Sequence, residues 1–441
     1  MNDYRFTQEK ERERDFYASL QYETYFPHVR EHFSRKEKGF SVSGEYFLSL
    51  EESLRHMMIV GKTGVGKSTC FIVPTCATVD YATHVIHDPS GELYLILHED
   101  FERRGYENWI INFSSPQKSI RWNPLSQIRR KSDRIDLVNM LVEYRNKSSD
   151  GSNQHWLDKA TALITVLLNL MDLLPPKDQT LGVAYDLLQK TKDNYKNVLD
   201  LFQNKCADKR DLFALESMVK DKTTEVSNIY STAIRALFEF SKESEEIYEI
   251  TSANNITLKD LRKKRVAFFV QSSSNGSHRQ GKPISLLFEQ IWSMGMEDLP
   301  GEDELPIFFE IDEAGSQSLD IKSLAGKIDK SRKHLLALML CFQSRAQLQG
   351  AFHHSLAQTI EDNCFTKIFV GAHNGITAEY IEKEIGNCKE LGTEIIRPRQ
   401  PREIIRTWPN ETVLILKDGV PAVLTESRPY YLQRRYAHLP Q

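Results

Sequence analysis

The 441-residue chain lacks paired cysteines. Its six (Cys70, Cys76, Cys206, Cys341, Cys364 and Cys388) are scattered, with no CxxC pair and no Cys/His spacing that suits zinc. They read as reduced thiols, which excludes a disulfide-stapled secreted domain and a zinc module. His353 and His354 likewise have no carboxylate or Cys partner at ligand spacing. A membrane-length apolar run is missing too. The two most apolar stretches, "TALITVLLNLMDLLPP" and "HLLALMLCF", fall short of the roughly 20 residues that span a bilayer, and the first carries Asn169 and Asp172. No secretory signal is read, because the N-terminal segment is dense in Arg, Lys and Glu where an apolar stretch would have to lie. Nor is there an excess of positive charge: 57 Lys+Arg against 61 Asp+Glu give a net charge of −4. That excludes a simple nucleic-acid coat and requires any polyanion to be held locally.

With 40% apolar residues the chain buries a sizeable core. Residues 1–45 are polar and dotted with aromatics, and read as a peripheral arm. Beyond them, short apolar runs alternate with loops: "MMIV", "THVIHDP", "NWIINF" and "IRWNPL". Runs of this length, bounded by Gly, Asp and Pro, suit buried parallel strands. Residues 128–256 are helical in pattern; in "HWLDKATALITVLLNLMDLL", Trp156, Ala160, Leu163, Leu167 and Leu170 share one face and read as core. Strand-like runs then return at "RVAFFVQ", "LPIFFEID", "LLALMLCFQ", "TKIFVGA" and "ETVLILKDG". The expectation is one α/β core in two parts, residues 46–127 and 257–441, interrupted by an all-helical insertion over 128–256.

Residues 61–68, "GKTGVGKS", fit G-x-x-x-x-G-K-S/T at every fixed position, with an apolar strand before and a helical pattern after. Glycines there let backbone N–H groups turn inward around phosphates at the positive end of the following helix. The expected nucleotide contacts are Gly61, Thr63, Gly64, Gly66, Lys67, Ser68 and Thr69, with Lys67 on the β- and γ-phosphates and Ser68 on magnesium. Phosphoryl transfer also needs a carboxylate near the metal, and "LPIFFEIDEAG" supplies Asp312 for the magnesium shell and Glu313 to polarise a water. Gln343, at the tip of the run "LLALMLCFQ", is placed to sense a γ-phosphate; Arg332, eleven residues earlier, is a candidate arginine finger toward a neighbouring subunit. ATP and magnesium are the ligands this set implies.

These residues resemble the TraG/TraD type of coupling protein of conjugation and type IV secretion, over roughly residues 50–430. "HVIHDPSGELY" is similar to the family's strand ending in Asp-Pro-Lys-Gly-Glu, with Ser90 where lysine is usual. "WNPL", "IDEAGSQSL", "CFQSRAQL", "TAEYIEKEIGN" and "REIIRTWPNETVLILKDGVPAVL" follow in the family's order. The resemblance implies a RecA-like P-loop ATPase core with an inserted all-α domain, an active homohexamer, and hydrolysis of ATP to feed DNA to a secretion channel. The implied partners are DNA, relaxase or relaxosome proteins and channel components. Most members begin with membrane-spanning helices; here membrane docking is expected through a partner or the polar arm, at the cytoplasmic face. Two alternatives are an ATP-gated substrate receptor without motor activity and a soluble DNA helicase or translocase. Candidate DNA patches are Arg262 to Arg265, Arg129 to Lys131, and Arg397, Arg399 and Arg402, and the loop "SSSNGSHRQGKP" is a candidate pore loop.

Overall fold

The short apolar runs become the strands of one sheet: β1 (Met57–Gly61), β2 (Thr83–His87), β3 (Glu107–Asn112), β4 (Val266–Gln271), β5 (Ile307–Ile311), β6 (Leu336–Phe342) and β7 (Thr366–Val370). The computed structural model describes residues 26–144, 154–205, 209–221, 223–272, 277–316, 319–389 and 396–440. Every residue of β1, β2, β4, β5 and β6 is buried. Continuous apolar strands demand this, because a parallel sheet needs cover on both faces. A small hairpin, β8 (Asn387–Lys389) with β9 (Ile396–Pro398), stands apart, whereas β10 (Thr412–Lys417) and β11 (Val423–Glu426) extend the main sheet.

The order is β11-β10-β7-β1-β6-β5-β2-β4-β3, with β7 to β3 parallel and β10 and β11 antiparallel. Strands β1 and β2 follow each other in sequence, yet β6 and β5 lie between them. In an open α/β sheet, such a reversal of winding opens a crevice at the carboxyl ends of the strands, where ligands bind. Side chains alternate across the sheet, so Met58 and Val60 enter one apolar core and Met57 and Ile59 the other.

The insertion between β3 and β4 contains helices Lys131–Glu143, Gln154–Met171, Leu181–Gln203, Arg210–Val219, Thr224–Leu237 and Glu245–Thr251. Ala160, Leu163, Leu167 and Leu170 are buried as their spacing predicts, while Trp156 lies at the margin and Leu157 takes its place in the core. "IRWNPL" does not form a strand. Asn123 caps a 3₁₀ turn over Pro124–Gln127, accepting Leu125 N at 3.0 Å, because Pro124 has no N–H to give a ladder. No helix among the described residues is long and apolar enough to cross a membrane.

Residues 1–25 of the segment read as an arm lie outside the described residues, but its last part is not peripheral. Phe33, Phe40 and Val42 are buried in the core beneath β1. A proline accounts for one of the links. Pro74 cannot donate to Cys70 O four residues back, so that carbonyl accepts the Ser41 hydroxyl at 2.9 Å instead. Ser41 N returns a bond to Thr75 Oγ1 at 2.9 Å. The same stretch, Ser68–Ile72, opens as a π turn before the α-helix Val73–Thr78.

Candidate nucleotide site

Strand β1 delivers Gly61 at its carboxyl end, and the chain turns back before entering the π turn at Ser68. Gly64 and Gly66 have φ of +83° and +84°, values that a side chain opposes. Inside the loop, the Lys67 ammonium is almost fully buried and donates to Gly61 O at 2.7 Å and Lys62 O at 3.0 Å. A cation thus occupies the concave side of the loop.

Across from it, Asp312 directly follows the end of β5. Ser68 Oγ donates to Asp312 Oδ2 at 2.7 Å, joining the loop to a strand tip 244 residues away. Two hard oxygen donors so placed fit the shell of a magnesium ion, which keeps most of its waters and takes few protein ligands. The next residue, Glu313, has φ of +54°, uncommon for a side-chain-bearing residue and found where the surrounding structure enforces it. Its amide bonds back to Asp312 Oδ1 at 3.0 Å, and the following Ala314 N reaches Cys341 O at 2.9 Å, so the turn is fixed from both sides. Partial burial, then the neighbouring Asp312 charge, push the Glu313 carboxyl above the usual glutamate range, against the pull of Lys67.

The tip of β6 gives Gln343, whose amide donates to Gln347 Oε1 at 2.7 Å and whose residue lines a cleft of about 410 Å³ together with Lys62 and Thr63 of the loop. The structure therefore brings together the loop, Asp312, Glu313 and Gln343. It does not bring Arg332 there. Arg332 precedes β6, at the amino end of the sheet, some 20 Å from the nucleotide end by strand length, and it pairs with the exposed Glu51 at 2.6 Å. A larger groove, about 620 Å³, lies at the base of the insertion, and its walls carry both signs of charge, including Arg129, Asp133, Glu289 and Glu297.

Two further features escape sequence reading. His87, at the tip of β2, is fully buried and its Nδ1–H donates to the backbone carbonyl of Asp312 at 2.6 Å. Burial lowers its pKa, so the ring is neutral and holds the strand tip without adding charge. Beside it, Asp88 accepts Leu93 N at 3.1 Å and Tyr94 N at 3.0 Å, and Gln271 Nε2 donates to it at 3.2 Å. Asn112 in turn donates to Gln271 Oε1 at 2.9 Å, so one polar chain joins the tips of β3, β4 and β2. Ser90, where the family resemblance has lysine, only steadies this turn by accepting Glu92 N at 3.3 Å. The sole signal in sequence was the clustering of polar residues directly after apolar runs.

The basic candidates are largely engaged. Arg262 is buried, its pKa lowered to about 10 by that burial, and bonds the carbonyls of Leu305 and Gly295, each at 2.9 Å, and that of His334. It is a structural cross-brace, because a guanidinium can serve several carbonyls that a ladder leaves unpaired. Arg129 and Arg130 both pair with Glu297, Lys264 with Glu107 and Asp260, and Arg402 with Glu403. Residues 273–276 of the candidate pore loop lie outside the described residues.

Comparison with known proteins gives the same outline. The chain is 22% identical over 437 residues to protein VirD4 of Rhizobium radiobacter, covering 90% of this chain and 59% of that relative, so it spans about three fifths of the relative's length. Its fold is similar to a sulphate-bound trigonal form of the bacterial conjugative coupling protein TrwB (TM-score 0.73, 17% identity, 91% of each chain) and to the plasmid coupling protein TrwB in complex with ADP and Mg2+ (TM-score 0.72, 17% identity, 91% of each chain). At that identity the likeness shows the fold. The family model described as type IV secretory system conjugative DNA transfer matches residues 15–389, and a match of this extent, centred on a sheet whose tips carry the loop and its carboxylates, establishes that the chain belongs to that family.

Proposed function

We propose that the protein is a magnesium-dependent ATPase of the coupling-protein type, which recruits a DNA–relaxase substrate and drives DNA toward a type IV secretion channel. The observation that carries this reading is the 2.7 Å bond between Ser68 Oγ and Asp312 Oδ2, with Glu313 held in a left-handed conformation beside it. The backbone from Gly61 to Thr69 wraps the nucleotide phosphates, and the Lys67 ammonium exchanges its bonds to Gly61 O and Lys62 O for phosphate oxygens. Ser68 and Asp312 would hold a magnesium ion, which would neutralise charge on the phosphates. The Glu313 carboxylate accepts the proton of the attacking water; its raised pKa makes it a better base than an ordinary glutamate. Gln343 faces the terminal phosphate across the cleft.

Arg332 lies far from this chain's own loop, so it acts, if it contacts nucleotide, from a neighbouring protomer of a ring. The working form is a homohexamer, docked at the cytoplasmic face of the membrane through a partner protein. Hydrolysis of ATP with and without DNA, in wild type, Lys67→Ala and Glu313→Gln, tests the reading. Both variants are expected to lose DNA-stimulated turnover, and only Lys67→Ala to lose nucleotide. Unchanged turnover in Glu313→Gln would sink the motor and leave a nucleotide-gated substrate receptor.

A further inference from the structure

In the core beneath the nucleotide loop, three side chains able to ligate a metal meet with no water around them. Cys76 of the helix Val73–Thr78, His84 of β2 and Glu310 of β5 are each 0% exposed, and their ligand atoms lie within 4.8 Å of one another. Sheet register explains the meeting. β2 and β5 run parallel with Ile86 opposite Glu310, so His84, two residues before Ile86, projects from the same face. The helix that follows the loop then lays Cys76 over that face.

As they stand, the polar groups of this cluster are incompletely matched. Both ring nitrogens of His84 face oxygens: Nδ1 lies 2.8 Å from Glu310 Oε1, and Nε2 lies 3.4 Å from Val79 O. A neutral imidazole has one N–H, so one of those two contacts is left without a hydrogen. The other carboxyl oxygen, Glu310 Oε2, has no hydrogen-bond partner among the described residues. A buried polar atom of that kind calls for something that supplies the missing interaction.

A divalent cation supplies it. His84 Nε2–H then donates to Val79 O, the backbone-carbonyl contact typical of a ligating histidine, and the Nδ1 lone pair is free for the metal. Glu310 offers both oxygens and Cys76 its sulfur, which makes four donors with the imidazole. One thiolate and one carboxylate balance a doubly charged ion, so the filled site carries no net charge in the core. Sulfur and nitrogen donors select zinc over magnesium. Zinc bonds of usual length set donors from different residues about 3.3–3.8 Å apart, so the side chains need to move by an ångström or less. Around them, the rings of Phe101, Tyr106 and Phe308 pack on His84 with centroids at 5.2, 5.9 and 6.0 Å. Arg104, which donates to Cys76 O at 2.7 Å, is paired with Asp100 at 2.8 Å and adds no uncompensated positive charge.

We infer that Cys76, His84 and Glu310 form a closed structural zinc site, filled as the chain folds. On binding, the Cys76 thiol gives its proton to water and a zinc–sulfur bond forms; no electron changes hands. The site is separate from the magnesium position, whose protein donors are the oxygens of Ser68 and Asp312, and it does not depend on the hydrolytic reading. Cys76 follows Ser68 by eight residues and Glu310 precedes Asp312 by two, so the ion would tie the helix behind the loop to the strand that carries the magnesium carboxylate.

The test uses the full chain produced in zinc-supplemented medium and washed with a chelator, which strips surface metal, followed by elemental analysis. Wild type is expected to retain about one zinc per chain, and Cys76→Ala and Glu310→Gln to fall to background. Zinc-loaded wild type is expected to unfold at a higher temperature than the chain produced without zinc, in which His84 and Glu310 keep their bare contact; neither variant gains from zinc. Chain produced with cobalt instead gives a thiolate-to-cobalt charge-transfer band in the near ultraviolet, absent from Cys76→Ala. That band is read on wild type, so it decides the matter even if a variant fails to fold, and cobalt bound at Ser68 and Asp312 cannot produce it. Background zinc in wild type overturns the inference, as does equal retention in wild type and Cys76→Ala, or cobalt bound without the thiolate band.

Discussion

Replacing Gly64 by alanine isolates the contribution of loop geometry to nucleotide binding. The residue has φ of +83°, and a Cβ built on it meets nothing within 4 Å. Packing therefore adds no penalty, and the whole effect is the strain of a left-handed residue, about 1–2 kcal/mol for an L-side chain. The loop is exposed here and free to escape that strain by turning its amides out of the cradle. Escape forfeits phosphate bonds rather than global stability, so the strain is converted into weaker binding of about 5- to 30-fold, at 1.4 kcal/mol per decade. Gly66→Ala is expected to be worse, because its Cβ would lie 3.2 Å from Thr69 Oγ1 and 3.3 Å from Cys70 Sγ in addition to having φ of +84°. Titration with a fluorescent ATP analogue reads the affinity, and thermal unfolding reads the fold. Wild-type affinity in Gly64→Ala would refute the claim that the left-handed loop holds the phosphates. A large drop in unfolding temperature at constant affinity would refute the claim that the strain is confined to the loop.

Two other outcomes follow from the same geometry. As pH falls, turnover at saturating ATP is expected to decline through a pKa above that of an ordinary glutamate, because burial raises that of Glu313 and only its carboxylate accepts a proton; an acid limb that survives in the residual activity of Glu313→Gln would assign the limb elsewhere. In the core beneath the loop, the fully buried His84 Nδ1 lies 2.8 Å from Glu310 Oε1, while Glu310 Oε2 has no partner. His84→Leu alone is expected to destabilise by about 3–5 kcal/mol in urea unfolding, since it strands a buried carboxyl, and the double replacement with Glu310→Met to recover to within about 1 kcal/mol of wild type or better; equal losses in the single and double variants would contradict this.

Much of the site was legible because its chemistry is tied to short spacings. Lys67 and Ser68 are fixed by the loop motif, and Asp312 and Glu313 by the end of an apolar run, so each needed only local pattern to be found. Contacts across the sheet were another matter. Nothing in "HVIHDP" tells that His87 will meet the Asp312 carbonyl, or that Gln271 will join Asp88, since strand order is set by crossovers rather than by sequence distance. Cys76, His84 and Glu310 show the same limit: their ligand atoms lie within 4.8 Å of one another, yet they come from a helix and two strands with no spacing signature. "IRWNPL" is apolar enough for a strand, but Pro124 cannot donate to a ladder and opens a 3₁₀ turn instead.

By itself, then, the sequence determined the α/β pattern, the helical insertion, the phosphate loop and the two carboxylates, because periodicity and turn chemistry act over a few residues. Tertiary structure alone decided which strand tips adjoin, that Val29, Phe33, Phe40 and Val42 belong to the core, and that Arg332 stands at the opposite end of the sheet from this chain's own loop. Those outcomes depend on how a reversed winding order stacks β1 beside β6 and β7, and pairings between residues hundreds of positions apart are chosen by burying the whole sheet at once.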